Sequence, residues 1–171
     1  MIEEEVTQKT WGVEWKIEKY EGRSADEIAG VEPDEVLTIE DNGLLNNGIN
    51  FLLNRLAGGA DVTYPAWNNA NAYLKVGNGT AAFGAAQTDL QGGSTFERPM
   101  DVGYPSVAAQ SISFRATFDT GEANFAWEEM GVKNGAGAIS ATVKLLNRRV
   151  ASAGTKAAGS TWTLTLTITI S

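Results

Sequence analysis

The segment Phe118-Asp119-Thr120-Gly121 is the part of this sequence whose residue types best match a catalytic motif. Aspartic proteases use an Asp-Thr-Gly turn after a hydrophobic strand, and they need a second carboxylate that shares one proton. Only a second copy of the chain in a dimer would supply that carboxylate. The same residues also suit an ordinary turn in which Asp119 accepts a hydrogen bond from its own backbone. Glu122 directly after the glycine favours the turn.

Other carboxylates and one glycine-rich run match catalytic or ligand-binding motifs less well. Glu128 and Glu129 are neighbours on a predicted strand, so they point to opposite faces and are not expected to flank one glycosidic bond. The run from Asp119 to Asn124 has too few oxygen ligands to bind calcium. The run Gly77–Thr80 lacks the lysine of a phosphate-binding loop, so we interpret it as a turn. The sequence has no histidine and no cysteine. We therefore expect no enzyme activity, no cofactor and no metal site.

Strands must position these residues, and the clearest strand is at the end of the sequence. From residue 161 to residue 171, Thr or Ser alternates with apolar side chains. The apolar members are Trp162, Leu164, Leu166, Ile168 and Ile170. Because successive strand side chains point to opposite faces, this alternation predicts a half-buried strand. Several further strands and glycine-rich turns predict an all-β fold, a jelly-roll-like β-sandwich.

One segment departs from the strand pattern and predicts a helix near residues 44–57. Leu and Ile recur there at helical spacing, Asn42 can cap the start, and Gly58-Gly59 can end the helix. The stripe consists of Leu45, Ile49, Leu52, Leu53 and Leu56, and we expect it to pack against the sheet at its edge. The predicted organisation is an acidic N-terminal β-ribbon over residues 1–41 followed by the sandwich over residues 42–171.

Charge is concentrated in the first 41 residues. They hold thirteen Asp or Glu and four Lys or Arg, whereas the whole chain has a formal net charge of −8. Such a balance argues against nucleic-acid binding and fits a solvated arm or a docking element for a basic partner. The acidic start differs from a secretory signal, and no apolar stretch approaches the roughly 18 residues of a membrane span. We expect synthesis in the cytoplasm and no membrane contact.

Three large aromatic residues, Trp11, Trp15 and Tyr20, lie within the acidic ribbon. Alternation around Trp11 and Trp15 predicts a strand with one aromatic face. A two-stranded ribbon is marginal by itself, so this face must cover either the sandwich or a neighbouring subunit. Both alternatives remain open, and because interfaces favour Trp and Tyr we take all three as candidate interface residues.

Short runs spread over residues 42–171 carry a family resemblance. They are Leu44–Asn50, Ala70–Gly79, Thr88–Leu90, Phe114–Val132 and Leu146–Val150, followed by Gly154–Lys156 and Ser160–Thr165. Together they resemble a family of tailed-bacteriophage virion structural proteins. The resemblance includes no catalytic motif. It implies that Arg115 and Glu122 flank a central hairpin and that Asn124 and Trp127 set its turn and packing.

The resemblance also implies a function and partners. It points to a capsid decoration (cement) protein on the outer capsid surface of the virion, produced in the host cytoplasm. Its expected partners are the major capsid protein and further copies of itself, with a homotrimer favoured. The alternative is a tail, fibre or receptor-binding component in which the loop 58–71 touches a host glycan. Tyr64 and Trp67 would then form an aromatic platform.

Overall fold

The computed structural model describes residues 11–41, 43–58 and 64–170, and these residues build two packed antiparallel sheets with one α-helix. In chain order the elements are β1 (Trp11–Tyr20), β2 (Glu35–Glu40), β3 (Gly43–Leu44), α1 (Asn46–Leu56), β4 (Tyr73–Gly77), β5 (Thr95–Pro99), β6 (Ser106–Ala108), β7 (Ser111–Phe118), β8 (Ala126–Lys133), β9 (Asn147–Thr155) and β10 (Thr161–Ile170). The first sheet has the order β2-β1-β10-β7-β6, and the second has the order β3-β9-β8-β4-β5. The predicted all-β sandwich is confirmed.

Strand β10 lies in the middle of the first sheet, between β1 and β7. Its apolar residues from Trp162 to Ile168 are buried in the core, as the alternation predicts. Its threonines lie on the outer face, where Thr167 and Thr169 share hydrogen bonds of 3.0 and 2.7 Å with serines of β7. On the inner face, Trp162 packs edge to face on Trp127 of the second sheet at 4.9 Å. These aromatic contacts join the two sheets.

The acidic segment is part of the sandwich rather than a separate ribbon. Strand β1 pairs with β2, as expected, but it also pairs along its whole length with β10, from Trp11 opposite Ile170 to Tyr20 opposite Thr161. Residues 1–10 lie outside the described chain. A domain boundary between residues 41 and 42 therefore does not match the sheet, because β1 supplies core side chains that the second sheet covers.

Strands β7 and β8 do not form the expected central hairpin. Strand β7 belongs to the first sheet and β8 to the second, so the turn at Asp119 carries the chain across the sandwich. Arg115 and Glu122 have separate partners there: Glu122 forms an ion pair of 2.7 Å with Arg98, and Arg115 lies 3.4 Å from Asp101. The prediction that Arg115 and Glu122 flank one hairpin is wrong, because the local pattern gives no information on which sheet each strand joins.

Helix α1 falls within the predicted range and buries part of the predicted stripe, since Leu45 just before its first turn is fully buried and Leu52 packs against the main core. Gly48 and Phe51 are buried, whereas Leu53 and Leu56 are 55% and 83% exposed. An ideal Cβ on Gly48 would lie 2.5 Å from the Cα and the carbonyl oxygen of Leu146, so only a residue without a side chain allows this approach. The helix ends at Leu56, and Gly58, two residues later, takes a left-handed φ of 63°. Asn42 lies outside the described residues.

We expect Gly48→Ala to destabilise the protein by about 1–3 kcal/mol, although alanine is the better helix former. The added methyl group would push α1 away from Leu146, and backbone atoms cannot yield as a flexible side chain would. Urea unfolding followed by tryptophan fluorescence measures the change. Asn46→Ala, at an exposed position of the same helix, is the control and should raise stability slightly. A Gly48→Ala variant as stable as this control would contradict the close approach.

Candidate interaction surface

An apolar groove opens at one end of the sandwich, with a volume of about 270 Å³. We call it the end groove. Its apolar lining consists of Trp11, Leu52, Trp67, Val107, Ile112, Phe114, Leu146, Ile168 and Ile170, and its polar members are Gln110 and Ser111. The groove therefore exposes hydrophobic surface with few groups that can form hydrogen bonds.

The strand pattern explains why these side chains meet. Trp11 is the first of the inward-facing residues of β1 and lies opposite Ile170, near the end of β10. Val107 comes from the short edge strand β6, and Leu52 from α1. Trp11, Ile170 and Val107 are 37%, 52% and 75% exposed. Contiguous exposed apolar side chains of this kind are typical of interaction sites.

Acidic side chains border the groove on one side. Glu14, Glu40 and Asp41 line a shallow hollow that shares Trp11 with the end groove. Asp41 also lies 3.8 Å from the guanidinium of Arg149. An apolar surface with a charged rim resembles the usual layout of protein interfaces, in which the centre is apolar and the rim is polar. The charge of this rim favours a basic partner surface.

Of the three predicted interface residues, only Trp11 reaches the surface at the groove. Trp15 has no exposed surface and belongs to the main core, because it is an inward-facing residue in the middle of β1. Tyr20 is on the opposite face of the strand and is 5% exposed beside residues 25–31. Burial raises the pKa of Tyr20 above its ordinary value, and the nearby Glu18 adds to this. The assignment of Trp15 and Tyr20 as interface residues is therefore corrected.

Tyr64 and Trp67 do not form one flat platform. Each packs edge to face on the ring of Phe51, with ring centroids 4.7 Å apart in both pairs. Trp67 lines the end groove, whereas Tyr64 lines a different pocket beside α1. Phe51 thus separates the two side chains that the sequence suggested would act together.

Asp119 ties three segments together. Its carboxylate accepts hydrogen bonds from the backbone N–H of Ala25 at 2.9 Å and of Thr120 at 2.7 Å, and from the Thr161 hydroxyl at 3.2 Å. The N–H groups of Thr120 and Ala25 hold the pKa of Asp119 below its ordinary value. The predicted turn is present, with Glu122 N–H donating to the Asp119 carbonyl at 2.9 Å. The carboxylate thus has a structural role in joining the loop 21–34 to β10.

A fully buried ion pair between Glu129 and Arg148 was missed from the sequence. The Glu129 carboxylate accepts from Arg148 Nε at 2.6 Å and from the backbone N–H groups of Gly79, Gln91 and Gly92 at 3.2, 3.0 and 2.7 Å. Arg148 also donates to the carbonyl of Ala81 at 2.9 Å. Both side chains have no exposed surface. The pair therefore fixes the loop 78–94 against the second sheet.

Glycines make room for this carboxylate. An ideal Cβ on Gly79 would lie 2.4 Å from Glu129 Oε1, and one on Gly77 would lie 2.7 Å from the same oxygen. The run Gly77–Thr80, interpreted from the sequence as a turn, therefore forms a binding cradle for an internal carboxylate. Glu128, the preceding residue, accepts a hydrogen bond from the Ser152 hydroxyl on the exposed side at 3.0 Å. The two neighbouring carboxylates occupy different environments.

Among the described residues, no group of three or more Asp or Glu side chains is arranged to hold a metal ion. Within the same residues, no helix is long and apolar enough to cross a membrane. No protein-family model, curated protein or solved structure matches the chain.

Proposed function

We propose that this protein is a bacteriophage capsid decoration protein that binds the outer capsid surface and stabilises the shell. The observation that carries the proposal is the end groove, an exposed apolar surface bordered by acidic side chains. The resemblance of residues 42–171 to virion structural proteins supports the same function. In this role the protein binds the major capsid protein and associates with itself as a homotrimer at three-fold sites.

The proposed docking mode follows from the chemistry of the groove. An apolar side chain of the capsid subunit enters beside Trp11, and basic residues around it face Glu14, Glu40 and Asp41. Each contact is modest, but a symmetric shell presents many copies at once. Bridging neighbouring capsid subunits therefore gives a stabilisation larger than one contact provides.

We expect purified protein to bind virion shells that lack it, and Trp11→Ser to reduce that binding at least tenfold. Large aromatic side chains at the centre of an interface carry much of its binding energy. Co-sedimentation measures the bound fraction, and antibody labelling in electron microscopy shows where on the virion the protein is bound. Sedimentation of the free protein measures whether it forms a trimer.

Two valines provide a matched control for this experiment. Val107 lies in the end groove and is 75% exposed, whereas Val102 lies outside it and is 98% exposed. Val107→Ser should weaken shell binding, and Val102→Ser should leave it unchanged. Equal effects of the two changes would contradict docking through the groove. Label confined to the tail would replace the proposal with the tail or receptor-binding alternative.

A further inference from the structure

A second pocket, distinct from the end groove, lies beside α1 and is lined mainly by polar side chains. Its volume is about 230 Å³, and its lining residues are Asn47, Asn50, Phe51, Asn54, Tyr64, Ala141 and Lys144. We call it the amide pocket. Asn47, Asn50 and Asn54 are spaced three and four residues apart on the helix, so their side chains share one face. With a rise of about 1.5 Å per residue, this face spans about 10 Å along the helix axis.

The amides of this pocket have hydrogen-bonding capacity that the fold does not use. The side chains of Asn47, Asn50 and Asn54 are exposed and form no hydrogen bond with any other residue that the structure describes. The same holds for the Tyr64 hydroxyl, although the Tyr64 carbonyl accepts from Arg55. Asparagine is also a poor helix former, so three on one face weaken α1. Exposed amides bind water, and a ligand with hydroxyl groups can take over the same hydrogen bonds.

The pocket near Tyr20 provides a contrast. It also holds polar groups, but Arg98 is paired with Glu122 and donates to the Thr117 carbonyl, and Asp101 accepts two hydrogen bonds from Thr117. Those groups are largely satisfied within the chain. By contrast, the three asparagines of the amide pocket form no hydrogen bond with the residues that the structure describes.

We infer that the amide pocket binds a saccharide. An amide side chain both donates and accepts hydrogen bonds, as a sugar hydroxyl does, whereas charged groups do only one of the two. Three amides along one face match a row of hydroxyls, and Tyr64 offers an aromatic ring beside them. Lys144 Nζ, which donates to the Ser140 carbonyl at 2.7 Å, lies at the border and adds a further donor.

The size of the pocket limits the ligand. Pockets for drug-sized molecules measure about 300–1,000 Å³, and this one is smaller. A single sugar ring within a longer surface glycan is therefore the part recognised. This inference goes beyond the proposed decoration function, and it concerns residues that are not in the end groove. A decoration protein that carried this site would give the virion surface a weak affinity for glycans.

Saturation-transfer NMR with a panel of free monosaccharides tests the inference on the full chain. The panel includes neutral hexoses, N-acetylated hexosamines and an acidic sugar. We expect at least one sugar to receive saturation from the protein. We expect Asn50→Ala and Asn54→Ala each to weaken its binding about fivefold to tenfold, as loss of a hydrogen bond predicts.

Asn46→Ala is the matched control, because Asn46 is an exposed asparagine on the same helix and does not line the pocket. Its binding should equal that of the unchanged protein. Circular dichroism on all three variants checks that α1 is retained. The inference is overturned if no sugar binds at millimolar concentration, or if the control loses binding as much as Asn50→Ala does. Capture of a peptide rather than any sugar by this pocket would overturn it as well.

Discussion

Replacing Glu129 by Gln is expected to lower the free energy of unfolding by about 3–5 kcal/mol. The change leaves the Arg148 guanidinium buried without its counter-charge, and it replaces a carboxylate oxygen among backbone N–H donors by an NH₂ group. A typical domain has only 5–15 kcal/mol of stability, roughly, so this single change threatens the fold. Urea unfolding at neutral pH measures the loss.

The preceding residue, Glu128, supplies a matched control for that experiment. Glu128 has the same side chain on the same strand, but it bonds only Ser152 on the exposed side. Glu128→Gln should change stability by less than about 0.5 kcal/mol. Hydrogen exchange provides a second readout, because losing the Glu129 acceptor should expose the amides of Gln91 and Gly92 to exchange. Equal stability of the two variants would show that the buried pair does not hold the loop 78–94.

Trp15→Ala is expected to destabilise the protein by about 3–5 kcal/mol, which is the usual effect of removing a buried tryptophan. Trp15 is in the main core and has no exposed surface, so the substitution leaves a cavity between the sheets. Thermal unfolding measures the shift in Tm. This expectation differs from the role that the sequence suggested, in which Trp15 would contact a neighbouring subunit.

Comparison with Trp11 separates folding from binding. Trp11 is on the same strand and the same face but is 37% exposed at the end of the sandwich. Trp11→Ser should therefore lower Tm much less than Trp15→Ala, while it reduces binding to shells. A Trp15→Ala variant with an unchanged Tm and weaker assembly would instead restore the interface role of Trp15.

The sequence predicts the sandwich well because β10 alternates strictly and β1 alternates from Trp11 to Glu18. In β10 and β1 the period of two residues identifies both the strand and its buried face. The same pattern shows that Trp15 and Tyr20 cannot belong to one surface, because an odd and an even position on one strand point to opposite faces. The period of two residues does not show whether the apolar face of a strand packs against its own chain or against another subunit.

The parts that the sequence does not predict depend on contacts between distant residues. Glu129 and Arg148 are distant in sequence from the loop 78–94 that they contact. No local sequence pattern connects them with Gly79 or Gly92. A shift in register between Trp127 and Glu129 also breaks the simple alternation in β8. Both Trp127 and Met130 consequently face the core. A period of two would have placed them on opposite faces.

The position of β10 between β1 and β7 has a consequence for how the chain folds during synthesis. Strand β1 leaves the ribosome before the other described strands, but the neighbour that it pairs with along its full length follows all of them. Until then, among the described strands, β1 can pair only with β2, so one of its two edges has no hydrogen-bonded neighbour. Folding of the first sheet is therefore a late, cooperative step that joins the two ends of the described chain.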